Sequence, residues 1–270
     1  MWRAIFLCIF FSVFQSSYTL RVKRETGCPD KDAISPCICT NSPFTYLECK
    51  NIDDAEVLTK VFENSERYRY KEVHIEFCTL QYLPHHIFET VKVIELYLKN
   101  VSLTQLFDRP PEALDELRTL HIENTRVARG IVWEILSPLK CLRILNIYFN
   151  VIRTLGTDFS QYVTKDLEQL SFYGTETRSI KPGTFSEFTK LDKLAVDAGK
   201  LTMLTRDIFP VPFNGRFLYF NYNNLVEIPK DLFTQMPNLQ TLSLRQNQIG
   251  TLPEEALESN AARLWYLMLD

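Results

Sequence analysis

One feature constrains this chain more than any other, and it is a repeat. From residue 70 the pattern LxxLxLxxNxLxxL, with apolar substitutions, recurs with first positions at 70, 93, 117, 142, 167, 191, 215, 239 and 264. The spacing never leaves 23 to 25 residues. Stretches such as LRILNIYFNVIRTL (142–155) and LQTLSLRQNQIGTL (239–252) show it plainly. Positions 4 and 6 of a unit point to one side of a short strand, and position 5 points to the other. A single unit cannot bury its apolar side alone. Successive units must therefore stack, with parallel strands about 4.8 Å apart, and share one continuous core. The length of 270 residues is then a count of nearly nine repeats plus a terminal cap, not the size of one compact domain. The last repeat stops at its seventh position.

The N-terminus points to export. Arg3 is followed by an apolar run to Phe14 and a short polar end, Gln15-Ser16-Ser17, so residues 1–20 read as a signal peptide with cleavage near 17–24. RVKR at 21–24 fits a dibasic processing site. No later stretch is apolar for the 18 or so residues that a membrane span needs. In an exported chain, Cys28, Cys37, Cys39 and Cys49, all within 22 residues, read as two disulfides with three possible pairings. Cys37 and Cys39, with one residue between them, cannot easily bond each other, so each pairs outward. Cys8 leaves with the signal peptide. Cys78 and Cys141 lie three units apart, about 14 Å by strand spacing, which is too far for a bond between them. Both are expected as unpaired thiols, with Cys78 buried.

The cysteine cluster and the repeat together resemble the extracellular leucine-rich-repeat proteins, and the resemblance covers residues 28–270. It implies an α/β fold: a leucine-rich-repeat horseshoe with a parallel concave sheet, an irregular convex side and a disulfide-bonded N-terminal cap. The cap would span 25–69 and the repeats 70–270. The family's first-to-third and second-to-fourth bonding implies Cys28–Cys39 and Cys37–Cys49. Phe88, Phe159, Phe185, Phe209 and Phe233 correspond to the phenylalanine of the convex side. The ninth position normally holds Asn, which bonds the backbone of the turning loop. Asn150, Asn223 and Asn247 keep it, and Cys78, Thr125 and Thr175 replace it in part. Val101 and Gly199 cannot, so looser loops are expected in the second and sixth units.

Positions 2, 3, 5, 7 and 8 are expected on the concave face. They carry Glu72, His74, Glu76, Glu95 and Glu123 toward the N-terminal end. The partner-binding candidates are Tyr97, His121, Tyr148, Phe149, Tyr173, Tyr219 and Tyr222, because exposed aromatics give contact area at low entropic cost. The competing reading of the same rings is cross-strand stacking that stabilises the sheet. His74 and His121 are two strands apart, about 9.6 Å, so no shared metal is expected. His85 and His86 are expected in an exposed convex turn. Asn100-Val101-Ser102 is a glycosylation sequon at Asn100.

Composition removes several function classes. With 46% hydrophobic and 23% charged residues the chain is globular. Thirty basic against 33 acidic residues leave −3, with no nucleic-acid footprint. No nucleophile elbow, zinc-protease, dinucleotide or phosphate-loop motif occurs, so no catalytic residue and no cofactor is nominated. The expected function is extracellular recognition of a protein ligand on the concave face, as a secreted or matrix protein or a receptor ectodomain. The chain also resembles the non-catalytic repeat subunit of shrimp luciferase, which implies as an alternative a stabilising subunit of a secreted enzyme such as a luciferase-type monooxygenase. Leu264, Leu267 and Leu269 in the incomplete last unit suggest a fragment of a longer protein, or a dimer through that edge.

Overall fold

A computed structural model describes residues 27–269 apart from 87, 89, 90 and 112–115. The expected signal peptide and RVKR processing site lie outside the described residues. One 11-stranded sheet dominates. It opens with the cap strands β1 (Ile38–Asn41) and β2 (Thr45–Lys50), which are antiparallel. The repeat strands follow: β3 (Arg69–Glu76), β4 (Lys92–Lys99), β6 (Thr119–Glu123), β8 (Ile144–Tyr148) and β10 (Gln169–Tyr173). The last four are β12 (Lys193–Asp197), β13 (Phe217–Tyr219), β14 (Thr241–Ser243) and β15 (Tyr266–Met268). From β2 onward every pair is parallel. Two short ladders run beside the sheet, β5 (Ser102–Leu103) with β7 (Arg126–Val127), and β9 (Thr154–Leu155) with β11 (Ser179–Ile180).

The register follows the repeat. Val73 pairs with Leu96, Leu96 with Leu120 and Leu120 with Leu145, and the fourth position stays in line as far as Leu242 with Leu267. Fourth and sixth positions such as Leu96 and Leu98, or Leu170 and Phe172, are fully buried. Behind them the convex phenylalanines form a second buried layer, with Phe159 packed on Trp133 at 4.9 Å and on Phe188 at 5.5 Å between ring centroids.

The cap closes the N-terminal end. Cys28 is bonded to Cys39 and Cys37 to Cys49, the pairing that the resemblance implies. Helix α1 (Ala55–Glu63), capped by the Asp54 side chain accepting from the Glu56 N–H, buries Leu58, Val61 and Phe62 against the first repeat. Tyr70 is wholly buried, and its hydroxyl donates to Ser65 at 3.0 Å. Cys78 is a buried free thiol. Cys141 is disulfide-bonded, which corrects the expectation of a second unpaired thiol. It occupies a half-exposed turn before β8, so its sulfur is not enclosed by the core as that of Cys78 is. His85 is also corrected. It is only 8% exposed. Asp108 accepts from its Nδ1 at 2.9 Å, and the Arg109 Nε donates to its Nε2 at 2.6 Å.

Two positional ladders hold the units together. At the ninth position, the Asn150 amide donates to the carbonyls of Ile122 and Tyr148, that of Asn223 to Val196 and Asn221, and that of Asn247 to Phe220 and Arg245. Each side chain therefore ties its own strand end to that of the preceding unit. Asn223 also accepts from the Leu201 N–H, and Asn247 from the Leu225 N–H. Thr125 reaches Leu98 and Glu123 in the same way, and the Cys78 thiol reaches Cys49 and Glu76. In the fifth unit the task shifts to Thr177, which donates to Ile152 while bonding Thr175 at 2.8 Å.

At Val101 and Gly199, where looser loops are expected, the ninth position has no polar side chain to bond the strand ends. Val101 is buried and its carbonyl accepts from the Arg126 N–H at 2.8 Å. At Gly199 a Cβ would stand 2.6 Å from the Asn223 oxygen, so the neighbouring unit's Asn fills the space that this unit leaves open.

The second ladder is at the eighth position. Phe77, Asn100, Asn124, Phe149, Gly174, Ala198, Tyr222 and Gln246 all have φ between +46° and +63°, as does Asn51 of the cap at +56°. A left-handed residue at each strand end turns the chain off the sheet. For an L-residue with a Cβ this costs about 1–2 kcal/mol, least for Asn. Phe77, Phe149 and Tyr222 are therefore not there for backbone preference.

The ninth-position account is tested by Asn223→Ala. It leaves the Val196 carbonyl and the Leu201 N–H without their buried partner and should cost about 2–3 kcal/mol in urea denaturation. Exposed Asn224→Ala, one residue on, should stay within about 0.5 kcal/mol. Equal effects of the two would remove the ladder as the source of cohesion.

Candidate functional site

The alternation of each strand delivers the site. In β3 and β4 the inward positions are Val73, Ile75, Leu96 and Leu98, and the residues between them, His74 and Tyr97, face out of the concave sheet. Parallel in-register stacking then sets fifth-position rings side by side: His74 pairs with Tyr97, and Tyr97 with His121. His74 stacks on Tyr97 at 4.3 Å with 23° between planes, and Tyr97 lies 5.5 Å from His121. The row then shifts to seventh positions. His121 meets Tyr148 edge-on at 4.9 Å, Tyr148 meets Tyr173 at 6.0 Å, and Tyr173 meets Phe149 at 5.3 Å. At the other end Tyr46 of the cap strand packs edge-on against His74 at 4.7 Å. Seven rings thus form one uninterrupted row from the cap to β10.

Of the candidates read from sequence, Tyr97, His121, Tyr148, Phe149 and Tyr173 are brought together. Tyr219 stands apart on β13, with the Lys193 ammonium 5.6 Å above its ring. Fifth-position residues Ser171 and Ala195, which separate it from the row, are small and nearly buried. Tyr222, 52% exposed, sits on a left-handed strand end outside the row. Tyr46 is the member that pattern reading missed. Its signal is in the sequence TYLECK, where Leu47 and Cys49 alternate inward like a repeat strand.

Carboxylates flank the rings and orient them. The Tyr97 hydroxyl donates to Glu95, and that of Tyr46 to Glu48, each at 2.8 Å. His74 Nε2 lies 3.1 Å from Glu72, and His121 Nε2 3.4 Å from Glu123. Lys50 bridges Glu48 and Glu76, Lys71 bonds Glu95, and Lys99 reaches Glu123 at 3.5 Å. Burial, then the adjoining carboxylates, push the Tyr46 and Tyr97 phenols far above their ordinary range, so both stay neutral donors. Burial also pushes His121 down, against the pull of Glu123, and leaves it uncharged at neutral pH. On β12 burial raises Asp197, which accepts from the Asn221 N–H at 2.6 Å. The surface is a row of rings edged by oriented carboxylates. It offers contact area and hydrogen-bond acceptors.

Exposure rises along the row. Tyr97, His121 and Tyr148 are half-buried by one another, whereas Tyr173 is 38% and Phe149 53% exposed. Asn100, at the end of β4, accepts from Asn124 through Oδ1 at 2.6 Å.

The leucine rich repeat family profile matches residues 216–270. Keratocan of Mus musculus is 25% identical over 179 residues, covering 57% of this chain and 50% of that protein. Human keratocan is 26% identical with the same coverage. Lumican of Gallus gallus is 23% identical over 220 residues, covering 79% of this chain and 59% of lumican. The chain thus spans about half the length of the keratocans it matches. Among solved structures, a chain of the octameric complex of latrophilin 3, Unc5D and FLRT2 superposes with a TM-score of 0.59 at 18% identity, over 82% of this chain and 73% of that one. A chain of the TLR13–ssRNA13 complex gives 0.58 at 19%, over 82% and 38%. At such identities the likeness establishes the solenoid fold. Among the described residues no helix is long and apolar enough to cross a membrane.

The buried imidazole gives the row a pH signature. Because the folded-state pKa of His121 lies below its unfolded value of about 6.5, its contribution is whole above that pH and is lost as pH falls from there through the lowered folded-state value. The melting temperature should hold between about pH 8 and 7 and decline below about 6.5. His121→Phe should flatten the first part of that decline in a calorimetric pH series. An unchanged decline would assign it to other groups.

Proposed function

We propose that this chain, an extracellular leucine-rich-repeat protein with a disulfide-bonded N-terminal cap, is a non-enzymatic binding protein that takes a protein partner on its concave face. The observation that carries this reading is the unbroken ring row from Tyr46 to Phe149, whose exposure increases toward Tyr173 and Phe149. A row serving only the sheet has no need to end on half-exposed rings at the open end. Aromatic anchors supply most of the energy in such interfaces, and the rim charges set orientation. Here the anchors are Tyr148, Tyr173 and Phe149, with Tyr97 and His121 as the flat floor beside them. Glu72, Glu95 and Glu123 accept hydrogen bonds from the partner. Tyr219 extends the contact toward β13, and Tyr222 borders it. An N-linked glycan at Asn100 stands at the strand end beside Tyr97 and limits approach from that flank. The FLRT2 assembly and a Toll–Spatzle complex, the latter superposing with a TM-score of 0.52, hold chains of this fold within protein complexes.

Secreted protein titrated onto matrix and cell-surface preparations tests the reading. The double variant Tyr148→Ala, Tyr173→Ala should lower affinity at least about tenfold, since anchor truncations cost about 2 kcal/mol or more. Its melting temperature should drop by no more than about 2–4 °C per kcal/mol lost from the sheet. Wild-type affinity in that variant would move the partner off the concave face.

A further inference from the structure

A second surface lies around the corner from the ring row, where the left-handed residues have turned the chain off the sheet. Between the third and fourth units the strand ends enclose a groove of about 640 Å³. Its walls carry Arg126, Arg129 and Arg153, with Ile131, Phe149 and Val151 between them. No carboxylate lines it. Among the described residues none of the three guanidinium groups has a carboxylate partner, and the one side-chain bond in the set is Arg129 to the Gln105 oxygen at 3.3 Å. Three arginines elsewhere are matched with acid: Arg216 grips Asp192 through two nitrogens, Arg143 lies between Asp166 and Glu168, and Arg69 reaches Glu116, whereas Arg206 and Arg263 spend their donors on carbonyl and amide oxygens. Arg178 continues the row, because its N–H donates to the Arg153 carbonyl at 2.9 Å and so places it one unit further on. On that next unit Glu176 is held by Lys200 at 3.2 Å.

These groups sit in a chain with more acidic than basic residues, so the local charge runs against the whole. Phe149 adds a second observation. It occupies a left-handed position and exposes half its ring, and the ring lies over Gly174, where a Cβ would come within 2.8 Å of it. Val151 is likewise 55% exposed. Guanidinium groups bind carboxylates through paired parallel hydrogen bonds, and exposed apolar side chains among them ask for an apolar side chain in return. A polyanion alone would satisfy the arginines and leave Phe149 and Val151 without a counterpart.

We propose that the groove bounded by Arg126, Arg129, Arg153 and Phe149 binds an extended acidic segment of a partner polypeptide, one with an apolar side chain between its carboxylates. Carboxylates pair with Arg126 and Arg153, which lie on adjacent units and line the same groove. The apolar side chain rests on Phe149 and Val151. The site is distinct from the floor of the concave face and meets it only at Phe149, so one partner can engage both or two partners can bind side by side.

A fluorescein-labelled peptide with a phenylalanine flanked on each side by two glutamates serves as the probe, in fluorescence anisotropy with the purified chain. Its counterpart with lysines replacing the glutamates is the charge control, and a sulfated heparin-derived oligosaccharide is the competing ligand class. The acidic peptide should bind, weaken as salt is raised, and outbind the lysine peptide. Arg126→Gln with Arg153→Gln should lower its affinity roughly tenfold or more. Arg153→Lys should lower it too, because an ammonium lacks the paired donors. Phe149→Asn, which suits the left-handed backbone, should weaken it several-fold with the fold intact. Tyr97→Ala, on the concave floor, should leave it within about twofold. Because the arginines are exposed and hold no carboxylate, melting curves of their variants should overlay the wild type. The proposal is overturned if the acidic peptide does not bind, or if the arginine variants bind it like wild type. Tighter, arginine-dependent binding of the sulfated oligosaccharide would overturn the assignment to a polypeptide.

Discussion

Cohesion between units rests on one small interaction, the side-chain bond from a ninth position to the carbonyl at the end of the preceding strand. Hydrophobic burial drives the units together and keeps the fourth positions in line. A polar group fixed at each strand end then ties one unit to the next. Asn223 shows the whole device, with donors to Val196 and Asn221 and an acceptor for Leu201. Thr125 and Cys78 perform the donor half with one atom. The fifth unit performs it two residues later, through Thr177. Buried backbone groups must find partners, and the chain meets that demand with whichever side chain can reach.

The left-handed eighth position is the complement of that bond. It ends each strand and bends the chain so that the next residue can point inward and serve the ladder. It also divides the outward surface into two parts, a sheet floor before the turn and a loop flank after it. Asn100, Asn124 and Gly174 are economical residues for such a backbone. Phe149 is not, and it stands where floor and flank meet.

The two surfaces differ in how their polar groups are spent. On the floor, tyrosine and histidine are already bonded to carboxylates, as in Tyr97 to Glu95 and His74 to Glu72, and Lys71 pairs with Glu95 in turn. Its rings are held by these bonds and suited to contact by area. On the flank, the arginines are not paired with acids, and the apolar side chains among them are exposed. Aromatic contact on one side and open charge on the other suit different parts of a ligand.

The solenoid and its strand register were legible in the sequence, because both follow from short-range periodicity. Leucines every 24 residues or so have one economical arrangement, and the fourth-position line from Val73 to Leu267 is that arrangement. The free buried thiol of Cys78 was legible for the same reason, since it occupies a ladder position. Much of the aromatic row was legible as well, in the fifth-position sequence His74, Tyr97, His121. What the sequence could not express was contact between different positions of neighbouring units. The passage of the row from His121 to Tyr148, its extension to Tyr46 in the cap, the filling of Gly199 by Asn223 and the enclosure of His85 by Asp108 and Arg109 all join residues 20 or more positions apart. Arg126 and Arg153 share no repeat position, and no periodicity marks them as neighbours. The sequence by itself determined a stacked parallel solenoid with one buried and one solvent-facing side, because alternation and period are local properties of the chain. The tertiary structure alone decided which side chains meet on the solvent-facing side, because that depends on the turn at each strand end and on the lateral reach of side chains across the unit-to-unit spacing.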